Sequence, residues 1–234
     1  LFASSSTNGL QSGSIVLSMV RPDGSFDPGF GTNGAVTLPA VDANNVALAI
    51  VRTASGRFAV LGYDGITTMQ LHEVTQAGLV TQTAEFNFNN AAGALVSGLA
   101  ETLLVAGGIY TSNSEDFAVA RLNENLTRDQ SFGTLGTYSE GFGFSGLGDD
   151  RVLSLQSTTG GRILVAGNSR DSASGRLNAV VMQLLENGVP DADFGNFGAI
   201  YFTNGSRSAA VQSLRVDGQG RVLVGGWIDG ATTA

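Results

Sequence analysis

The octapeptide Asp129-Gln130-Ser131-Phe132-Gly133-Thr134-Leu135-Gly136 has two counterparts, Asp27-Pro28-Gly29-Phe30-Gly31-Thr32-Asn33-Gly34 and Asp191-Ala192-Asp193-Phe194-Gly195-Asn196-Phe197-Gly198. One aspartate, one phenylalanine and two glycines keep their spacing in all three. Self-similarity at a period of several tens of residues marks stacked supersecondary units, so the repeat decides the fold before any single residue is read.

Upstream of each motif lies an apolar, strand-like run, at 14–20, 116–122 and 178–184. Downstream each unit closes on Gly-Arg-apolar-x-Val-x-Gly, from Gly56-Arg57 to Gly62, from Gly161-Arg162 to Gly167 and from Gly220-Arg221 to Gly226. A fourth unit sits between the first and second in decayed form. Leu71 to Val74 supply its first strand, Gly78 its turn, and Leu103, Val105 and Gly107 its last strand, while its aspartate and Phe-Gly pair are replaced by a stretch holding Phe86 and Phe88.

Each unit therefore carries about four short segments rich in Val, Ile, Leu and Phe, bounded by Gly, Asn, Asp and Ser, without helical periodicity. This predicts an all-β, β-propeller-type repeat of about four blade-like units with four short strands each, over 14–66, 67–115, 116–177 and 178–234 of a single domain, 1–234. A β-solenoid is the second architecture, with coils that are usually shorter. The ends fall at one phase of the repeat, so the chain reads as a fragment of a larger propeller, or as a ring whose first and last segments share a blade.

Composition narrows the function. With 42% hydrophobic and 14% charged residues, the 234-residue chain is ordered and large enough for a substantial core. Its 33 glycines fall at repeat-specific turn positions, which is turn-dense β structure rather than low complexity. A net charge of −8 excludes the basic stripe that nucleic acid demands. The absence of cysteine excludes thiol catalysis and disulfides and fits an exported bacterial protein. The apolar segment from Ala91 to Ile109 has the length of a membrane span, but the repeat assigns it two strands joined by a turn at Ala100 to Thr102, so no membrane span is expected.

Candidate chemistry is sparse. Asp27, Asp129 and Asp191 could take part in a hard-cation site, with Asp193, or Asp149 and Asp150, adding ligands. Calcium needs 6–8 oxygens and each unit brings one such aspartate, which favours an Asx turn that lets the following phenylalanine point inward. No other cofactor is expected. Phe30, Phe132 and Phe194 read as plugs between blades, with Gly31, Gly133 and Gly195 beside them where the backbone turns sharply. Arg57, Arg162 and Arg221 could bind an anionic ligand, and read rather as partners of local carboxylates or as turn caps. His72, the one histidine, excludes His-pair and His-triad mechanisms and reads as a partly exposed strand residue. Gly141, Gly143 and Gly146 spell Gly-x-Gly-x-x-Gly, but no helix follows to hold a pyrophosphate. Trp227, Tyr63 and Tyr110 follow closing strands and offer either a ligand platform or blade-edge packing.

Asp116-Phe117-Ala118-Val119-Ala120-Arg121-Leu122, Asp23-Gly24-Ser25-Phe26-Asp27 with Phe30-Gly31, and Gly161-Arg162-Ile163-Leu164-Val165-Ala166-Gly167 resemble the delta-60 repeat of large bacterial surface or secreted proteins. The resemblance runs over nearly the whole chain and fades around Gly78. It implies propeller-like β structure and an extracellular or cell-surface setting, and brings no reaction with it. The function expected is a non-catalytic structural or binding module in adhesion or surface assembly, with protein or glycan partners and self-assembly through open edges. The competing classes are a hydrolase or lactonase with a calcium site built from Glu115, Asp116, Asp149, Asp150 and Asp171, and a carbohydrate-binding propeller using Trp227.

Overall fold

The computed structural model describes residues 2–6, 13–39, 45–64, 68–88, 94–111, 114–142, 149–202 and 206–230. Among the described residues there are strands and turns and no helix. Three four-stranded antiparallel sheets form the middle of the molecule. Sheet II holds β4 (Val46–Arg52), β5 (Phe58–Tyr63), β6 (Met69–Val74) and β7 (Val80–Phe86); sheet III holds β8 (Ala94–Ser97), β9 (Leu103–Thr111), β10 (Ser114–Leu122) and β11 (Thr137–Glu140). Sheet IV holds β12 (Asp150–Ser157), β13 (Ile163–Arg170), β14 (Leu177–Leu184) and β15 (Ala199–Phe202). On one side stands sheet I, with β1 (Phe2–Ser6), β2 (Ser14–Ser18) and β3 (Ala35–Thr37); on the other stands sheet V, with β16 (Ala209–Val216) and β17 (Val222–Ile228).

These are propeller-like blades. The middle strands are apolar on both faces because each sheet is packed between two others, so Leu103 to Ala106, Phe117 to Ala120 and Ile163 to Ala166 are all buried. The clusters alternate along the row: Leu61, Leu71, Phe88, Leu95 and Val105 fill the seam between sheets II and III, and Leu104, Phe117, Phe132, Val165 and Val180 fill the seam between III and IV. The segment from Ala94 to Ile109 forms β8, a turn and most of β9, and among the described residues no helix is long and apolar enough to cross a membrane.

The innermost strands stand side by side and are laced by one repeated hydrogen bond. Arg52, Ser97 and Ser157 hold the same place on β4, β8 and β12, each opposite the first residue of the next strand of its sheet. Ser157 Oγ donates to the Ser97 carbonyl at 2.8 Å, and Ser97 Oγ to the Arg52 carbonyl at 2.9 Å. Beyond them, the Val216 N–H donates to Gln156 Oε1 at 3.1 Å.

Sequence repeat and sheet are out of phase. The stretch 14–66 supplies the last two strands of sheet I and the first two of sheet II, and the stretches 67–115, 116–177 and 178–234 do the same for each following pair. Covalent continuity therefore crosses every seam, and no repeat can bury its apolar faces alone.

Candidate functional site

In sheet III the motif is an excursion from the outer strand. Arg128 still bridges Leu122, then residues 129–136 loop out, and Thr137 resumes the ladder opposite Ala120. Sheet II lacks the motif, and there β7 runs straight along β6 with only a one-residue bulge at Thr81. All three motif loops lie at the end of the sheets that carries the turns at 21–25, 123–127 and 185–189.

Each motif aspartate organises its own loop. Oδ1 accepts the N–H two residues on: Gly29 at 3.0 Å for Asp27, Ser131 at 3.0 Å for Asp129, and Asp193 at 3.3 Å for Asp191. Each also meets a cation, Arg21 at 3.1 Å, Arg121 at 2.8 Å and Arg162 at 2.7 Å respectively. The Ser131 hydroxyl and N–H, then Arg121, hold the Asp129 carboxyl below its usual range; Arg162, then Gln183, do the same for Asp191. In sheet II the closing-strand arginine is served by Glu73 instead, at 2.5 Å from Arg57, and Arg221 pairs with Asp217 at 2.6 Å. A carboxylate so engaged with a guanidinium is a poor ligand for a second cation.

The Phe-Gly pairs reach across seams. Phe30 and Phe132 are fully buried, and the Gly31 N–H donates to the Ala77 carbonyl in the turn of sheet II at 2.8 Å, as Gly133 does to Asn187 in the turn of sheet IV. The turn glycine that follows lies under the pair: a Cβ on Gly78 would stand 2.5 Å from the Gly31 nitrogen. Phe194 is only half-buried, and no such turn stands before Gly195 among the described residues.

One turn departs from this rule. Leu126 occupies the place of Gly78 and Gly188 and keeps the left-handed backbone, at φ 59°. Sheet II, which packs against that turn, has no Phe-Gly pair, and the buried Leu126 side chain joins the cluster of Phe86, Phe88 and Leu122 there. Glu101 likewise replaces a turn glycine at φ 63° and accepts the Ser55 N–H of the preceding sheet at 2.9 Å. Sequence reading missed Leu126; the signal was a missing glycine in the turn that follows a missing motif.

The opposite end gathers acids and aromatics. Glu115 faces Tyr110 in the β9–β10 ladder and bridges Asp149, with Arg151 at 3.9 Å. Asp116 accepts from the Ser114 and Thr111 hydroxyls, and Asp64 accepts the Thr68 N–H at 3.0 Å. Asp150 is buried, accepts the Phe142 N–H at 2.7 Å, and is pushed up to about 6, chiefly by burial. Phe142 packs edge-on against Phe117 and Tyr201, with centroids 4.8 and 6.0 Å away. Asp171 closes its own loop through the Ala173 N–H and the Ser174 hydroxyl. Among the described residues no three His, Cys, Asp or Glu side chains converge as a metal site. Asp149 and Asp193 are exposed.

Two sequence expectations change. His72 is fully buried, because β6 is covered on both faces; its Nδ1 lies 3.1 Å from Thr83 Oγ1, and burial lowers its pKa to about 4. The aromatics do not form one platform: Tyr63 is buried in the seam between II and III, Tyr110 is 61% exposed, and Trp227 lies at the end of the row. Gly141 sits against the Asp116 carboxylate, while Gly143 and Gly146 lie outside the described residues.

A family described as "Domain of unknown function (DUF5122) beta-propeller" matches residues 102–132 and 161–194. Each match spans a closing strand, the strand after it and the motif up to its phenylalanine, all within one sheet. The match supports a propeller-type repeat family and carries no delta-60 name. No curated protein matches the chain.

Proposed function

We propose that this chain is a non-catalytic structural and binding module of an exported bacterial protein, acting in adhesion or surface assembly and holding a protein or glycan partner outside the cell. The observation that carries the reading is where the repeated residues are spent. The motif aspartates and the closing-strand arginines are engaged in ion pairs, and Phe30-Gly31 and Phe132-Gly133 are engaged with the next sheet. What varies from sheet to sheet lies at the opposite end, where exposed Tyr110 stands beside Glu115 and Asp116. A rigid scaffold with differing loops on one face suits recognition, and an exposed aromatic ring suits a sugar or a protein surface.

The test is saturable binding of the labelled chain to intact bacterial or host cells, before and after stripping with protease or glycosidase. The reading predicts binding lost on one of the two treatments and weakened at least tenfold by Tyr110→Ala. Absence of saturable binding, together with chelator-sensitive hydrolysis of lactone or ester substrates, would favour the hydrolase class instead.

A further inference from the structure

The seam between sheets III and IV holds an open cavity of about 160 Å³, bordered by the β8–β9 turn at Leu99 and Ala100 and by the β12–β13 turn at Gly161. The matching place between sheets II and III is filled. There Glu101 of the β8–β9 turn accepts the Ser55 N–H of the β4–β5 turn at 2.9 Å, so a carboxylate spans the two turns. Glu101 stands two residues before β9, and Gly161 holds the same position before β13. A Cβ on Gly161 would stand 3.1 Å from Leu99 Cδ1 and 3.2 Å from Glu186 Oε2, so a longer side chain there would occupy the space that is left open.

Opposite charges border this cavity. Arg121, whose side chain is 13% exposed, is held from three sides: Nε donates to Asp129 at 2.8 Å, Nη2 to Ser131 Oγ at 3.0 Å, and Nη1 to the Glu186 carbonyl. A guanidinium carries five N–H groups, so each terminal nitrogen keeps one for a ligand. The Ala100 N–H, at the position of Ser55, makes no hydrogen bond among the described residues. The Glu186 side chain is exposed and in no ion pair among the described residues.

We infer that the cavity binds a small aliphatic amino acid. Its carboxylate takes the place that Glu101 fills one seam earlier, against Arg121 and the Ala100 N–H. Its ammonium pairs with Glu186, and its side chain lies against Leu104 and Ile163, which also border the cavity. Both charges are required. Arg121 is already neutralised by Asp129, so a lone anion would meet Glu186 uncompensated, and a lone cation would meet the guanidinium. The volume, below the roughly 300 Å³ at which drug-sized sites begin, limits the ligand to this size. This site is separate from the Tyr110 end, and its failure would leave the cell-binding assay untouched.

Isothermal titration calorimetry of the whole chain with L-alanine tests the inference, with propionate and ethylamine as probes that each keep one of the two charges. The expected result is saturable binding of L-alanine, at least tenfold tighter than that of either probe. Gly161→Gln, which restores a side chain where Glu101 has one, should weaken binding at least tenfold with an unchanged circular dichroism spectrum. Glu186→Gln should also weaken it at least tenfold; this side chain is exposed, so the variant reads the site even if Gly161→Gln fails to fold. Absence of saturable L-alanine binding overturns the inference. So does binding that Glu186→Gln leaves unchanged, or propionate bound as tightly as L-alanine.

Discussion

Gly188 lies so close to Gly133 across the seam between sheets III and IV that a Cβ on it would stand 2.8 Å from the Gly133 nitrogen, and 2.9 Å from the Phe132 ring. The seam is thus closed by backbone against backbone, with one ring as filler. Gly188→Ala should destabilise by about 2–4 kcal/mol, from left-handed strain plus overpacking. Gly175→Ala shares the strain, at φ 70°, but meets no atom within 4 Å, and should cost only about 1 kcal/mol. Urea denaturation of the two variants measures the difference.

Phe132 and Phe194 hold the same motif position with different surroundings. Phe132→Ala should cost about 3–5 kcal/mol, the value for a fully buried ring. Phe194→Ala should cost less than half as much in the single chain, because its ring is only half-buried. Equal losses in thermal or urea melts would contradict the seam assignment.

Leu126 is a local conflict resolved by packing. Leu126→Gly relieves a left-handed backbone worth about 1 kcal/mol, but removes a buried side chain worth about 2–3 kcal/mol. The net expectation is a loss of about 1–2 kcal/mol, although glycine is what the other turns carry. A stabilised variant would show that the side chain contributes no packing.

Two buried groups pull stability in opposite directions with pH. His72, lowered to about 4, refuses in the folded state a proton that the unfolded chain accepts below pH 6.5, so its contribution is lost as pH falls through that window. Asp150, raised to about 6, takes a proton in the folded state before the unfolded chain does, so its contribution grows as pH falls from 6 towards 3.8. Between pH 6 and 4 the two offset. His72→Gln should therefore leave a protein that gains stability on acidification to pH 4.5, and Asp150→Asn one that loses it, each by on the order of 1–3 kcal/mol. Urea midpoints at pH 7 and 4.5 check both signs.

Much of the fold was legible in the sequence because the repeat fixes it: four identities recur at fixed spacing, and strand and turn positions follow from them. The phase of the blades was not, because a motif search starts a unit at the first apolar run, whereas each sheet starts a strand pair earlier, at β4, β8 or β12. The recurrent arginines were readable as ion-pair partners, but Glu73 was not, since it replaces a motif aspartate from a different strand. The burial of His72 and Asp150 was hidden for a common reason: a polar residue in a strand looks half-exposed until both faces of its sheet are known to be covered. The meaning of Leu126 appears only beside the missing Phe-Gly pair of sheet II.

The central claim is that the repeated Phe-Gly pair and the following turn glycine form one coupled seam. A double-mutant cycle of Phe132→Ala and Gly188→Ala, followed by urea denaturation, tests it most directly. The account predicts that Gly188→Ala costs at least about 1 kcal/mol less once the Phe132 ring is gone, because one of its two clashes has been removed. The same cost in both backgrounds would contradict it.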